Sequence, residues 1–115
     1  MENNYSYDTV PYPSYAYPQT HPDHLATLAI LSGMTPAPVD NCRVLELGCA
    51  AGGNLIPMAY ELPHSQFVGV DLSGRAISEG RAWVSTLGLK NITLEHQNLL
   101  NVDLDIEPFD YIITY

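Results

Sequence analysis

The polar and apolar positions of this 115-residue chain fall into four short apolar runs joined by stretches of a different period. Arg43-Val44-Leu45-Glu46-Leu47 and Phe67-Val68-Gly69-Val70 are short, mostly apolar and bounded by turn residues, which predicts strands. Ile92-Thr93-Leu94-Glu95-His96 alternates, and predicts a strand with one exposed face. From Phe109 to Thr114 the alternation stops at Tyr111, which predicts a strand buried on both faces, as interior parallel strands are. Between the first two runs, Leu55, Ile56, Met58, Ala59 and Leu62 recur at helical spacing. Pro57 has to lie in the first turn of that helix, where its missing N–H is no loss, and Pro63 ends it. The next helix has Ser73 as a natural N-cap, then Ile77, Gly80, Val84 and Leu87 on one side with Trp83 alongside, and Gly88 at its end. Gly80 in mid-helix predicts close contact with the sheet. Strands alternating with helices through right-handed crossovers predict an α/β unit, a Rossmann-like parallel sheet of order 3-2-1-4.

Upstream of the first strand the pattern changes. Thr20-His21-Pro22-Asp23 predicts a helix start, with Leu25, Leu28, Ala29 and Leu31 on its apolar face and Gly33 closing it. Residues 1–20 carry neither period. Tyr5, Tyr7, Tyr12, Tyr15 and Tyr17 are interleaved with Pro11, Pro13 and Pro18, which predicts an extended arm. That arm is either a solvated tail or a strap across the mouth of the site. The division is therefore an arm over 1–20 and one α/β unit over 21–115.

The chemistry gathers where the first strand breaks into Gly48-Cys49-Ala50-Ala51-Gly52-Gly53-Asn54. Strand, glycine turn and helix start is the arrangement in which backbone comes close to a bound ligand. Asp71 closes the second strand, where a carboxylate is placed to hydrogen-bond the two hydroxyls of a ribose. A dinucleotide needs a glycine where this chain has Ala50, because its pyrophosphate packs on that backbone. Glu46, at the mouth of the first strand, would repel a pyrophosphate and suit an ammonium or sulfonium cation. S-adenosylmethionine carries both.

The run Val44-Leu45-Glu46-Leu47-Gly48-Cys49-Ala50-Ala51-Gly52 resembles the first motif, E-x-G-x-G-x-G, of class I S-adenosylmethionine-dependent methyltransferases. Tyr12-Pro13, Gln19-Thr20-His21-Pro22 and Asn54-Leu55-Ile56-Pro57-Met58-Ala59 extend the resemblance to bacterial members that often carry a downstream methyltransferase regulatory region. The resemblance implies that Glu46 meets the methionine amino group, and that Gly48, Cys49, Ala50 and Gly52 lend backbone to the methionine portion. It implies Asp71 on the ribose, Leu72 packed on adenine, and Asn98 with Leu99 completing the adenine contacts. Asn98 stands where many relatives have aspartate, and its amide oxygen can accept the same bond. The family fold has seven strands, so this chain is expected to be the N-terminal, cofactor-binding part of it. Its fourth strand would then present an unpaired apolar edge, open to self-association or to a partner segment that completes the sheet.

Charge and composition narrow the partners. With a formal net charge of −9 and only Arg43, Arg75, Arg81 and Lys90 as fixed cations, no basic stripe exists to hold nucleic acid or an anionic membrane. Cys42 and Cys49 form neither a disulfide framework nor a zinc pattern, and His21 with His24 and Asp23 lacks a further ligand, so no metal is expected. No apolar run approaches a membrane span and no basic leader opens the chain, so a cytoplasmic protein is expected. Two other functions stay open: an NAD(P)-binding domain, and a non-catalytic assembly module that pairs through its arm and fourth strand. No catalytic base is assigned and the methyl acceptor is not legible. Tyr17, Thr20 and His21 are the side chains on the N-terminal side that could reach the mouth.

Overall fold

The computed structural model describes Ala16, His21, Pro22, Leu25, Ala26, residues 38–98 and residues 109–114. The tyrosine-rich arm, most of the first predicted helix and Leu99 lie outside the described residues. Val39–Asn41 make one 3₁₀ turn that leads into β1 (Arg43–Leu47). Then follow α1 (Leu55–Glu61), β2 (Gln66–Asp71), α2 (Gly74–Leu87), β3 (Ile92–His96) and β4 (Tyr111–Ile113). All pairings are parallel and the strand order is β3-β2-β1-β4, as the alternation of elements predicts.

The register sets which residues share a face. Val44 lies opposite Phe67 and Tyr111, and Phe67 lies opposite Ile92, so Val44, Phe67, Ile92, Leu94 and Ile113 line one side. Leu55, Met58 and Ala59 of α1 and Ile77 of α2 pack with them in one core. Leu45 and Val70 project to the other face and are also buried, which explains why β1 and β2 show no alternation. β4 departs from expectation. Ile113 is buried but Ile112 is 60% exposed, because the described residues cover only one face of that strand. An apolar run records that a strand is meant to be covered, not which part of the protein covers it.

The helix ends follow their local chemistry. The Ser73 hydroxyl accepts the Ala76 N–H at 3.1 Å, and Gly88 closes α2 in the left-handed conformation at φ 67°. Pro57 sits in the first turn of α1 as required. Trp83 and Leu87 do not join the core as predicted; they are 56% and 46% exposed. Both line a surface cleft with Ile56 and Pro57 of α1 instead of packing on the sheet. Among the described residues no helix is long and apolar enough to cross a membrane.

Two buried polar residues fasten the far end of the sheet. Ser65 donates to the Val39 carbonyl at 2.7 Å and accepts the Cys42 N–H at 3.0 Å, joining the starts of β1 and β2. Asn91 directs its amide nitrogen at the carbonyls of Ala59, Leu62 and Ser65, each at 3.0 Å, and so closes the C-terminal end of α1 from the start of β3. Replacing Asn91 by alanine is expected to cost about 2 kcal/mol, since buried carbonyls lose their donor. Urea denaturation measures it, and a loss below about 0.5 kcal/mol would mean that water serves these carbonyls equally well.

Candidate cofactor site

The site lies at the C-terminal ends of the strands, beside the point where the chain order reverses between β1 and β4. Crevices of open parallel sheets form there because successive connections leave in opposite directions. β1 leaves the ladder at Leu47, and the next turn has Gly48 at φ 77°, Ala50 at φ 52° and Gly52 at φ 84°. Ala50 thus holds the left-handed conformation that a glycine takes freely, at a cost of about 1 kcal/mol. The methyl group that distinguishes this loop from a three-glycine motif is accommodated in that conformation. The Gly52 N–H donates to the Cys49 carbonyl at 2.9 Å, and the Ile56 N–H to the Gly52 carbonyl at 2.8 Å, which starts α1.

The N–H groups of Gly48 and Cys49 both donate to the Val70 carbonyl, at 2.7 and 3.0 Å. These two residues therefore offer a ligand close approach and not amide donors. A Cβ built on Gly48 meets nothing within 4 Å, so its exposed Cα borders open space. Cys49 faces inward, where a Cβ on Gly69 would come within 2.8 Å of its Sγ. Burial, reinforced by the negative charges of Asp71 and Glu46, pushes the Cys49 thiol far above its ordinary range, so it is a packed, protonated side chain and no nucleophile.

Glu46 is the electrostatic centre. It is only 3% exposed. Its Oε2 accepts from Asn54 Nδ2 at 3.1 Å, while its buried Oε1 has no hydrogen-bond partner. Burial pushes the carboxyl up to about 7, opposed by the Asn54 bond and assisted by the charge of Asp71. A buried acid with one unmet acceptor is suited to a donor that carries positive charge. Asp71, half-buried at the end of β2, keeps its Oδ2 on the Ser73 N–H at 3.1 Å, which fixes the carboxylate beside the turn into α2. Leu72 follows, half-buried.

The structure thus brings together Glu46, Gly48, Ala50, Gly52 and Asp71 around one turn, with Leu72 adjoining. Asn98 is exposed two residues past β3, while Leu99 is not described. His21 is not at the mouth: its Nε2 lies 3.0 Å from Glu61, at the C-terminal end of α1 and therefore at the opposite end of the parallel sheet. Tyr17 and Thr20 lie outside the described residues. Among those residues, no group of three His, Cys, Asp or Glu side chains is placed to hold a metal. A cleft of about 350 Å³ between α1 and α2 shares the loop residues Ala51, Gly52 and Gly53 and is otherwise lined by Ile56, Pro57, Glu79, Trp83 and Leu87, not by Glu46 or Asp71.

Two residues of the site have no role assigned to them by the sequence. Gly69, in mid-strand, is needed for the Cys49 contact, and a glycine inside a buried strand is itself a sign of close approach. Asn54 has a weaker signal: it stands at a helix start, where any capping residue would be unremarked.

A glycine turn after β1, a buried acid before it and a second acid ending β2 define a nucleoside-cofactor-binding α/β unit of the methyltransferase type. A methyltransferase domain family model matches residues 38–115, and the chain belongs to that family, whose methyl donor is S-adenosylmethionine. It is 52% identical over 109 residues to the uncharacterized protein RP789 of Rickettsia prowazekii, covering 95% of this chain and 20% of that one. A second protein of that organism, RP028, is 38% identical, with 98% of this chain and 45% of the relative covered. The structure of PKMT2 from Rickettsia typhi in complex with AdoHcy superposes with a TM-score of 0.85 at 36% identity, over 90% of this chain and 20% of PKMT2. The chain therefore spans between a fifth and under half of the length of these relatives. Neither the dinucleotide reading nor the assembly-module reading gains support from them.

Proposed function

We propose that this chain forms the S-adenosylmethionine-binding part of a methyltransferase, and that the complete protein methylates a nucleophilic acceptor. The observation that carries this reading is Glu46, a buried carboxylate with one oxygen unpartnered, set at a glycine turn whose Gly48 borders open space. The AdoHcy in PKMT2, a protein of similar fold in this region, supports the same assignment. When bound, the cofactor supplies a methyl group on a sulfonium.

The residues of this chain bind and orient. Glu46 would hold the cationic amino group, Gly48, Ala50 and Gly52 would line the methionine portion, and Asp71 would take the ribose hydroxyls. Leu72, Asn98 and Leu99 would enclose the adenine. Methyl transfer is an in-line displacement, so fixing the donor on a rigid strand end is most of what such a unit contributes. The net charge of −9 in this part supports an acceptor other than nucleic acid. The place of β4 at the edge of the described sheet supports pairing with a further segment of the protein or with a second chain, and exposed Ile112 supports a cover over that face. The free, buried Cys42 and Cys49 suit a cytoplasmic setting.

Titration calorimetry with S-adenosylhomocysteine, and with NADH as control, tests the reading. Saturable binding of the former alone is expected. Asp71→Ala should weaken it by about tenfold or more, through the lost ribose bonds. Unchanged affinity would remove Asp71 from the site.

A further inference from the structure

We propose that Asn54 is a positioning residue that holds one oxygen of Glu46, so that the other is presented to the amino group of the bound methyl donor. This rests on the function proposed above, and on three features of Asn54.

The first is where it stands. Asn54 occupies the N-cap position of α1, where an asparagine ordinarily accepts a hydrogen bond from the helix's own N–H groups. Its side chain makes no such bond, and its backbone is helical at φ −89°, ψ −39° instead of extended. The second is where it points. The amide crosses the turn to a residue eight positions back, and both partners are buried, Asn54 at 5% and Glu46 at 3% exposure. The third is residue type. Serine, threonine and aspartate cap a helix as well as asparagine does, but aspartate has no donor to offer an ionised carboxylate, and the shorter hydroxyls reach less far. A buried Glu46 needs a donor that carries no charge of its own, because a cation there would compete with the ligand. An amide supplies it.

The consequence follows from counting acceptors. With Oε2 on Asn54 and Oε1 unpartnered, the carboxylate has one fixed and one available oxygen. The Asn54 bond also favours the ionised form of Glu46 against the burial that opposes it. Without the bond, Glu46 would hold its proton to higher pH and lose the contact that orients its carboxylate.

The test compares two ligands that share an adenosine and a thioether sulfur. S-adenosylhomocysteine carries the amino-acid part, and 5′-methylthioadenosine lacks it. Titration of the complete protein and of Asn54→Ala is expected to show S-adenosylhomocysteine weakened by about tenfold or more and methylthioadenosine changed by less than about twofold. The pH at which S-adenosylhomocysteine affinity reaches half its plateau should rise in the variant. Asn54→Asp, which retains a capping oxygen but adds a negative charge, should lose more S-adenosylhomocysteine affinity than the alanine variant. Equal losses for both ligands would assign Asn54 to the loop and helix only and overturn the proposal, as would a pH midpoint that does not move. Failure of the unaltered protein to bind either ligand would overturn the cofactor reading itself, and the proposal with it.

Discussion

Glu46→Gln is expected to make the protein more stable at pH 8 while weakening S-adenosylhomocysteine binding by about a hundredfold, as for the loss of one partner of a buried charged pair. The carboxyl is pushed from 4.5 up to about 7, chiefly by burial. The folded protein therefore holds this proton more tightly than the unfolded chain does. Glu46's contribution to stability is fully present below pH 4.5 and is lost as the pH rises through about 7. The integrated difference is on the order of 3 kcal/mol, with Asp71, the protonated Cys49 thiol and the Asn54 amide as the groups that face the carboxyl. Glutamine keeps an oxygen for Asn54 and has no charge to bury. Urea denaturation of both proteins at pH 5 and pH 8 measures the effect. The unaltered protein should lose stability relative to the variant between the two, and parallel pH dependences would show that the buried acid is not the group that titrates. Under the proposed function, the residue that destabilises the unliganded fold is the one that would hold the ligand's amino group.

Gly80→Ala should destabilise the protein by about 2 kcal/mol even though alanine gains about 1 kcal/mol of helix propensity over glycine. A Cβ at this position would lie 2.5 Å from the Ala51 carbonyl oxygen and 2.6 Å from Leu94 Cδ1. The leucine terminus can turn away, but the Ala51 backbone cannot move without displacing the glycine loop. Arg81, the next residue, donates from Nε to the Leu94 carbonyl at 2.8 Å and holds α2 against β3, so the helix is not free to back off either. Stability and S-adenosylhomocysteine affinity should therefore fall together, the second because the Gly48–Gly52 turn is pushed out of place. Retained affinity at reduced stability would mean that α2 shifts and the loop does not.

Much of this was legible in the chain. The strand order followed from the alternation of periods, because a parallel sheet built by right-handed crossovers has few solutions. Ser73, Gly88 and Pro57 announced helix ends through backbone chemistry that acts within a few residues. Gly80 in mid-helix signals a close contact, although its partner, a loop carbonyl and not only the sheet, lies beyond what period can tell. Glu46 and Asp71 stood out because each occupies the end of a strand beside a turn. Side-chain links across turns are not legible in this way. The Asn54 amide meets Glu46 only after Gly48, Ala50 and Gly52 have each turned left-handed, and no spacing rule encodes that path. Gly48 and Cys49 were expected to lend their backbone, yet the Val70 carbonyl takes both N–H groups, a pairing decided by where β2 ends. Trp83 and Leu87 matched an apolar stripe, yet they line a surface cleft beside Ile56 and Pro57.

The three carbonyls gathered by Asn91 also bear on how the molecule assembles in time. Sequence separations of 32, 29 and 26 residues divide that amide from its acceptors, so the end of the first helix stays open until the third strand arrives. Contacts of such range carry a loop-closure cost that must be met before they contribute anything. A growing chain that has emerged only as far as β2 holds a helix with a frayed end and a sheet without its clamp. The three strands and two helices should then lock in a single step, as one cooperative unit and not as successive additions.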